Sequence, residues 1–341
     1  MQMRDDLGIT TKLENGKAYL EFALPEKIGR LLSALQIEIW EGAEGERLVF
    51  HGQYSSEEAD SMTALLLRPH LWDGMRDPYV YLVKAQGRFR SVEYGEKMGG
   101  MEKEEKLDPA EDITGEVEMY WRQELTIYDV RVVEKKGILL NEKEFLPHEV
   151  VYRLPPQISD AGTRVEQVRR DLERLVQMGV NVIRLEGTGT GAEGVNCSEV
   201  RTFYSLCRKR GFLTGDLWIR PENLPVYRGL PGEATCQALL AADGRTLTER
   251  YYYYQAKWSS EPVLYPVLST LHRQENGLLS LTIYSNQKKV VLYVDGVLFL
   301  FQSAASGDPE FIFEDIPVAK LPLHLAAEAG NLSISLTVSK I

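Results

Sequence analysis

Residues 171–185 read Asp-Leu-Glu-Arg-Leu-Val-Gln-Met-Gly-Val-Asn-Val-Ile-Arg-Leu, and their hydrophobic period changes half-way along. Up to Met178 the apolar residues recur at helical spacing. Val165, Val168, Leu172, Leu175 and Met178 share one face, so a helix is predicted over Arg164 to Met178. Gly179 supplies a stop signal. Val180 to Leu185 is then an apolar run suited to a buried strand of a parallel sheet. The same grammar repeats downstream. Ser198 can cap a helix with Val200, Phe203, Tyr204 and Cys207 facing inward, Gly211 ends it, and Phe212 to Trp218 reads as the next strand. Alternation of this kind specifies an α/β layer.

On both sides of this layer the period falls to two. Ala18 to Ala23 and Leu35 to Trp40 alternate apolar and polar residues. Leu48 to His51, Ala64 to Leu67, Val80 to Lys84 and Glu116 to Val133 are further strand candidates, with turn signals such as Asn15-Gly16 between them. Downstream, Tyr251 to Trp258, Leu278 to Ser285, Val290 to Val294, Val297 to Phe301, Phe311 to Ile316 and Leu332 to Val338 are predicted as strands. Asp295-Gly296 is a two-residue hairpin signal. Short strands at this spacing point to a β-sandwich on each side. The run Tyr251 to Tyr254 is expected to be an alternating strand with two inward rings. Glu93 to Thr114, with Gly99-Gly100 and the charged run Glu102 to Lys106, reads as a solvated insertion.

Bulk properties narrow the function. The chain has 341 residues, 39 Lys and Arg against 50 Asp and Glu, and a formal charge of 39 − 50 = −11. Such a balance argues against a nucleic-acid partner, which requires clustered basic residues. Residues 1–11 show no secretory signal pattern and no apolar run reaches membrane-spanning length, so a cytoplasmic protein with no membrane association is expected. The three cysteines, Cys197, Cys207 and Cys236, form no CxxC pair, which points to reduced thiols and to neither a disulfide framework nor a metal site. No cofactor is expected. Gly189-Thr190-Gly191-Ala192-Glu193-Gly194 fits a bare dinucleotide pattern, but the loop runs on before the helix begins and lacks a phosphate-loop ending.

Four stretches together resemble the glycoside hydrolases of family two, the β-galactosidase/β-glucuronidase type. Leu67-Arg68-Pro69-His70-Leu71-Trp72-Asp73 followed by Pro78-Tyr79-Val80-Tyr81-Leu82 is similar to the run that closes the immunoglobulin-like domain ahead of that family's catalytic barrel. Gly137 to Leu146, containing Leu140-Asn141-Glu142-Lys143, resembles the hairpin that opens the barrel. Asp171 to Arg184, then Phe203-Tyr204-Ser205-Leu206-Cys207 and Gly211-Phe212-Leu213, resemble its early strand–helix units. Tyr251 to Leu264, Ile283 to Asn286 and Val291 to Gly296 resemble the β-domain that follows the barrel. The resemblance implies a mixed β and α/β fold: two immunoglobulin-like β-sandwich domains, 1–134 with its insertion near 93–114 and 247–341, flanking a truncated (β/α) barrel remnant at 135–246.

Truncation follows from length. A complete barrel takes about 250 residues, whereas only the short interval between Trp218 and Tyr251 is left for five further strand–helix units. In the family both catalytic glutamates stand on later barrel strands, and retaining hydrolysis needs two carboxyl groups about 5 Å apart. Neither strand has a counterpart here. The weak catalytic candidates are Glu186 and Glu222, the latter in Pro221-Glu222-Asn223; Glu93 is set aside because it falls in the insertion.

Residues expected to gather at a ligand pocket are His148, Arg184, Glu186, Asp216 and Trp218, taken to lie at or near the ends of the α/β strands where ligands collect. Trp218 would stack on a sugar ring. The structural alternative is an Arg184–Glu186 or Arg184–Asp216 ion pair bracing the layer. An open parallel sheet of three strands would also need covering, by the flanking β-domains, by the segment Arg220 to Leu247 or by a second copy of the chain. The expected function is that of a non-catalytic glycoside-hydrolase-like protein that binds carbohydrate or another protein. The alternatives are a residual β-galactosidase-like O-glycosyl hydrolase, and a structural subunit, for instance of a homodimer, that completes its sheet by oligomerisation.

Overall fold

The computed structural model describes residues 7–92, 113–154, 161–186, 197–214, 225–228, 238–241, 243–305 and 307–340. The chain divides into two compact units, 1–145 and 146–341.

In the first unit, β1 (Gly8–Glu14), β2 (Lys17–Ala23), the helical turn α1 (Glu26–Gly29), β3 (Leu32–Glu41), β4 (Arg47–Ser55), β5 (Thr63–Leu67), β6 (Tyr81–Val92) and β7 (Ile113–Leu125) follow one another. They form two antiparallel sheets, β1-β2-β5 and β4-β3-β6-β7. Period-two patterning explains their packing. Ala18, Leu20 and Phe22 of β2 are buried while Lys17, Tyr19, Glu21 and Ala23 face out. They meet Leu35, Ile37 and Ile39 of β3 and Val83, Ala85 and Phe89 of β6 in one core, which makes this a β-sandwich. The expected insertion falls almost wholly at 93–112, outside the described residues.

A small sheet, β10-β9-β8, follows from β8 (Val130–Val133), β9 (Gly137–Leu140) and β10 (Lys143–Phe145). The β9–β10 turn places Asn141 at φ 49° and Glu142 at φ 67°, the pair of positive values a two-residue hairpin of this twist demands. Asn141 Oδ1 accepts the Asp129 amide at 3.0 Å and its Nδ2 donates to the Trp72 carbonyl at 2.9 Å. Lys143 Nζ reaches Asp73 at 2.9 Å. Two of the stretches that carry the family resemblance therefore bind each other.

The second unit opens with β11 (Glu149–Tyr152), α2 (Ala161–Met178), β12 (Val182–Leu185), α3 (Cys197–Lys209), β13 (Leu213–Thr214) and β14 (Val226–Tyr227). They build a parallel sheet in the order β13-β12-β11-β14. Three strands were expected, and there are four. Val226-Tyr227 pairs with the far side of β11, using the Val151 amide to the Pro225 carbonyl at 3.1 Å. Two residues in an aperiodic segment carry no pattern from which such a strand is legible.

α4 (Glu249–Trp258) corrects a second expectation, because Tyr251 to Trp258 is helix rather than strand. Tyrosine's strand preference is overruled by a setting that needs rings on several sides of one element. Tyr251 Oη donates to the Arg174 carbonyl of α2 at 2.8 Å. Beyond α4 come β15 (Leu264–Arg273) and β16 (Leu279–Ser285), and on that side Tyr252 stacks on Tyr265 with centroids 3.7 Å apart while Tyr253 meets Tyr284 edge-on at 5.4 Å. The helix is a wedge between the α/β layer and the strands that follow. Gly179, at φ +87° after α2, sits so close to it that a Cβ would lie 2.5 Å from the Trp258 carbonyl group.

The chain finishes with β17 (Lys289–Val294), β18 (Val297–Ser303), β19 (Glu310–Ile316), β20 (Leu323–Ala329) and β21 (Leu332–Val338). Sheets β15-β16-β19 and β18-β17-β20-β21 enclose a core of Leu281, Ile283, Leu292, Phe311, Phe313 and Leu325 among others. Strand for strand, this order repeats that of the first sandwich.

Candidate functional site

Ligands of open α/β sheets collect beyond the carboxyl ends of the strands. In the parallel sheet those ends are Tyr152, Leu185, Thr214 and Tyr227. Tyr152 points to the helices: it stacks on Phe203 of α3, with centroids 5.0 Å apart, and donates to Asp171 of α2. By alternation Glu149, Val151 and Arg153 turn to the opposite face, together with Val182, Arg184 and Glu186 on the neighbouring strand.

That opposite face carries two ion pairs. Arg153 grips Glu186 through Nε and through Nη2, the latter at 3.0 Å. Arg184 Nε lies 3.8 Å from Oε1 of Glu149, which is buried. Of the two alternative braces, Arg184–Glu186 is not formed: in-register parallel pairing sets Arg153 beside Glu186 and Arg184 two residue levels lower, beside Val151, so the pairs are Arg153–Glu186 and Arg184–Glu149. Glu149 and Glu186 stand four residue levels apart, about 13 Å along the strands. Asp216, Trp218 and Glu222 lie outside the described residues, as does the glycine-rich loop 187–196.

His148 is not at the carboxyl edge. It immediately precedes β11, at the opposite end of the sheet. Its amide donates to Asn181 Oδ1 at 2.7 Å, its Nδ1 bonds the Gly179 carbonyl at 2.9 Å, and its ring stacks on Trp258 at 5.2 Å. Burial holds the imidazole below its usual pKa, hence neutral. Here His148 is a joint between β11, the β12 entry and α4. Cys207 is a buried thiol whose pKa burial pushes up, which makes it a poor nucleophile.

Behind the sheet lies a cluster the sequence reading did not single out. Asp171 is fully buried and accepts from Tyr152 Oη at 2.8 Å, Tyr227 Oη at 3.2 Å, and Arg228 through Nε at 2.5 Å and Nη2 at 2.9 Å. Burial, reinforced by the Asp171 charge, pushes both phenols well up, so they remain donors. The cluster bolts β14 to β11 and α2. A signal for it existed: Asp171 falls on the apolar face of a helix between Val168 and Leu175, where a lone acid requires a buried partner.

One further hollow, of about 560 Å³, opens on the outer face of the four-stranded sheet of the first sandwich. Ala34, Gln36, Gln53, Gln86, Arg88 and Glu118 are among the residues that line it. Gln86 Nε2 donates to Tyr120 Oη at 3.0 Å, which donates in turn to Glu118. Among the described residues no group of three or more His, Cys, Asp or Glu is arranged to hold a metal ion, and no helix is long and apolar enough to cross a membrane.

Sandwich, helix-backed parallel sheet and sandwich follow one another along the chain, and solved structures of β-glucuronidases and β-galactosidases resemble this fold. The chain is similar over 98% of its length to the FMN-binding β-glucuronidase from Faecalibacterium prausnitzii L2-6, at 15% identity and a TM-score of 0.61, covering 73% of that protein. It is similar over 97% to a β-galactosidase-like structure from Bacteroides fragilis, at 13% identity and a TM-score of 0.60, covering 72% of it. A glycosyl hydrolase family 2 member from Bacteroides cellulosilyticus DSM 14838 is matched at 12% identity and a TM-score of 0.60, with 63% of its length covered. At these identities the likeness is one of fold. No protein-family profile and no curated protein matches the sequence.

Proposed function

We propose that the chain is a non-catalytic glycoside-hydrolase-like protein whose parallel layer is a cut-down (β/α) barrel and which works by binding carbohydrate. The observation that carries the non-catalytic half is the state of the two glutamates on the sheet face. Each faces an arginine, Glu186 bonding Arg153 and Glu149 lying 3.8 Å from Arg184, and their backbones stand about 13 Å apart along the strands, so the described sheet face presents them as two separate ion pairs and not as a facing pair of acids. The strand order supports the barrel ancestry. β14 occupies the flank of β11 that the eighth strand takes beside the first in a closed barrel, so the order reads as the first three units and the last, with the middle units gone.

Carbohydrate is favoured as the ligand by the fold's relatives and by the hollow on the first sandwich. Its lining offers neutral amides, a phenol, a guanidinium and two carboxylates, groups that pair with sugar hydroxyls, in an open hollow of about 560 Å³. The test has two arms. Nitrophenyl galactosides and glucuronides should show no turnover, and turnover lost on Glu186→Gln or Glu222→Gln would overturn the proposal. Calorimetry against galactosides, glucuronides and plant oligosaccharides should show binding to the wild type that Arg88→Ala weakens. Binding to none of them would sink the ligand half.

A further inference from the structure

We propose that β18 is the seat of a two-fold contact with a second copy of this chain, paired edge to edge and antiparallel. β18 reads Val-Leu-Phe-Leu-Phe-Gln-Ser and carries no charge. Val297 is 70% exposed, Leu298 56%, Leu300 41% and Phe301 54%. A register irregularity falls at Phe299, and by their pairing with β17 Leu298 and Phe301 share one face and Val297 and Leu300 the other, so apolar surface is open on both faces of this edge strand. Ile312 of β19, also exposed, extends the patch, and Gln302 Nε2 bonds its carbonyl.

The other edges of the same sandwich are protected in the ways soluble proteins protect edges. β21 turns Ser333, Ser335 and Thr337 outward, β15 contains Pro266, and β19 shows Glu310, Glu314 and Asp315. The strand at the equivalent place in the first sandwich, β4, exposes Arg47, His51, Gln53 and Ser55 beside one leucine, Leu48. Two sandwiches of one strand order therefore differ at this edge, and among the described residues no other edge strand exposes as many large apolar side chains as the four of β18.

Charge selects a second copy as the occupant. The chain carries −11 overall, so copies repel in general and a contact between them needs a neutral or complementary surface. β18 starts at the acidic turn Asp295-Gly296 and ends at Ser303, opposite Lys289, whose Nζ sits 4.1 Å over the Phe301 ring. Antiparallel self-pairing brings the Asp295 end of one copy to the Lys289 end of the other, twice, with the apolar centre between. Such a contact is closed by its own two-fold axis. It joins two four-stranded sheets into one of eight strands, within the size that sheets reach.

The test is light scattering on the full chain from micromolar to submillimolar concentration, with amide hydrogen exchange on the same samples. The wild type should weigh twice one chain. The double variant Leu298→Lys/Leu300→Lys should weigh one chain with an unchanged circular dichroism spectrum, and Leu67→Lys, an exposed leucine of the first sandwich, should remain dimeric. Amides of β18 should exchange slowly in the wild type and fast in the double variant. A wild type monomeric throughout, a dimer that survives the double variant, or β18 amides that exchange fast in the wild-type dimer would each overturn the proposal. None of these results depends on whether the chain binds carbohydrate.

Discussion

Asp171→Ala should cost the second unit about 3–5 kcal/mol, the loss expected when one member of a buried ion pair is removed and the other charge is stranded. The structure supports the upper part of that range. The Asp171 side chain is fully buried, the Arg228 side chain keeps 13% exposure, and two phenols lose their acceptor as well. Each lost phenol bond adds about 1 kcal/mol. The discriminating comparison is Arg228→Met and the double variant. Removing Arg228 as well should recover part of the loss, because its stranded guanidinium goes with it, while Arg174, 4.0 Å from Asp171, still loses its carboxylate partner. Urea unfolding of all four proteins, followed by the transition of the second unit, measures the coupling. Amide exchange at Val151 and Arg153, whose N–H groups bond the Pro225 and Tyr227 carbonyls, reports whether β14 has come away from β11. If Asp171→Ala costs under about 1 kcal/mol, or the double variant is no more stable than Asp171→Ala alone, the cluster is not the bolt described here.

Gly179→Ala should lower the melting temperature markedly, since it meets both a positive φ and a 2.5 Å approach to the Trp258 carbonyl group; it should cost more than the roughly 1 kcal/mol of an ordinary glycine change, and a near-neutral result would refute the close packing of α4 on the α2 end. The His148 imidazole is held below its usual pKa by burial, so the unfolded chain takes up the proton first. Its contribution is therefore complete above about pH 6.5 and is lost as pH falls through the lower folded value, and His148→Phe, which keeps a ring against Trp258, should flatten the fall in stability below about pH 6.5. Glu186→Gln should change stability by less than about 1 kcal/mol, because its carboxylate is 43% exposed; a larger loss in thermal unfolding would show that the Arg153 pair is a structural brace.

The parallel layer was legible because both of its long helices are amphipathic and end in glycine, and because Val180 to Leu185 is too apolar for a surface strand. The outer strands were legible wherever they alternate, as in Ala18 to Ala23. β20, Leu-His-Leu-Ala-Ala-Glu-Ala, alternates in burial, but its alanines carry little strand preference and hide the pattern. α4 was misread because four tyrosines in a row favour a strand locally, and only the two surfaces on either side of it make a helix the better solution. Of the site, the residue types at the sheet were readable and their pairing was not. Which arginine meets which glutamate depends on strand register, set jointly by β11 and β12, and the Asp171 cluster depends on Arg228, which reaches it from more than fifty residues downstream.

The measurement closest to the central claim is turnover of nitrophenyl β-galactoside and β-glucuronide by the full wild-type chain, compared with a Glu186→Gln/Glu222→Gln double variant. Neither protein should release nitrophenol above the buffer rate. Release by the wild type that is lost in the double variant would contradict it.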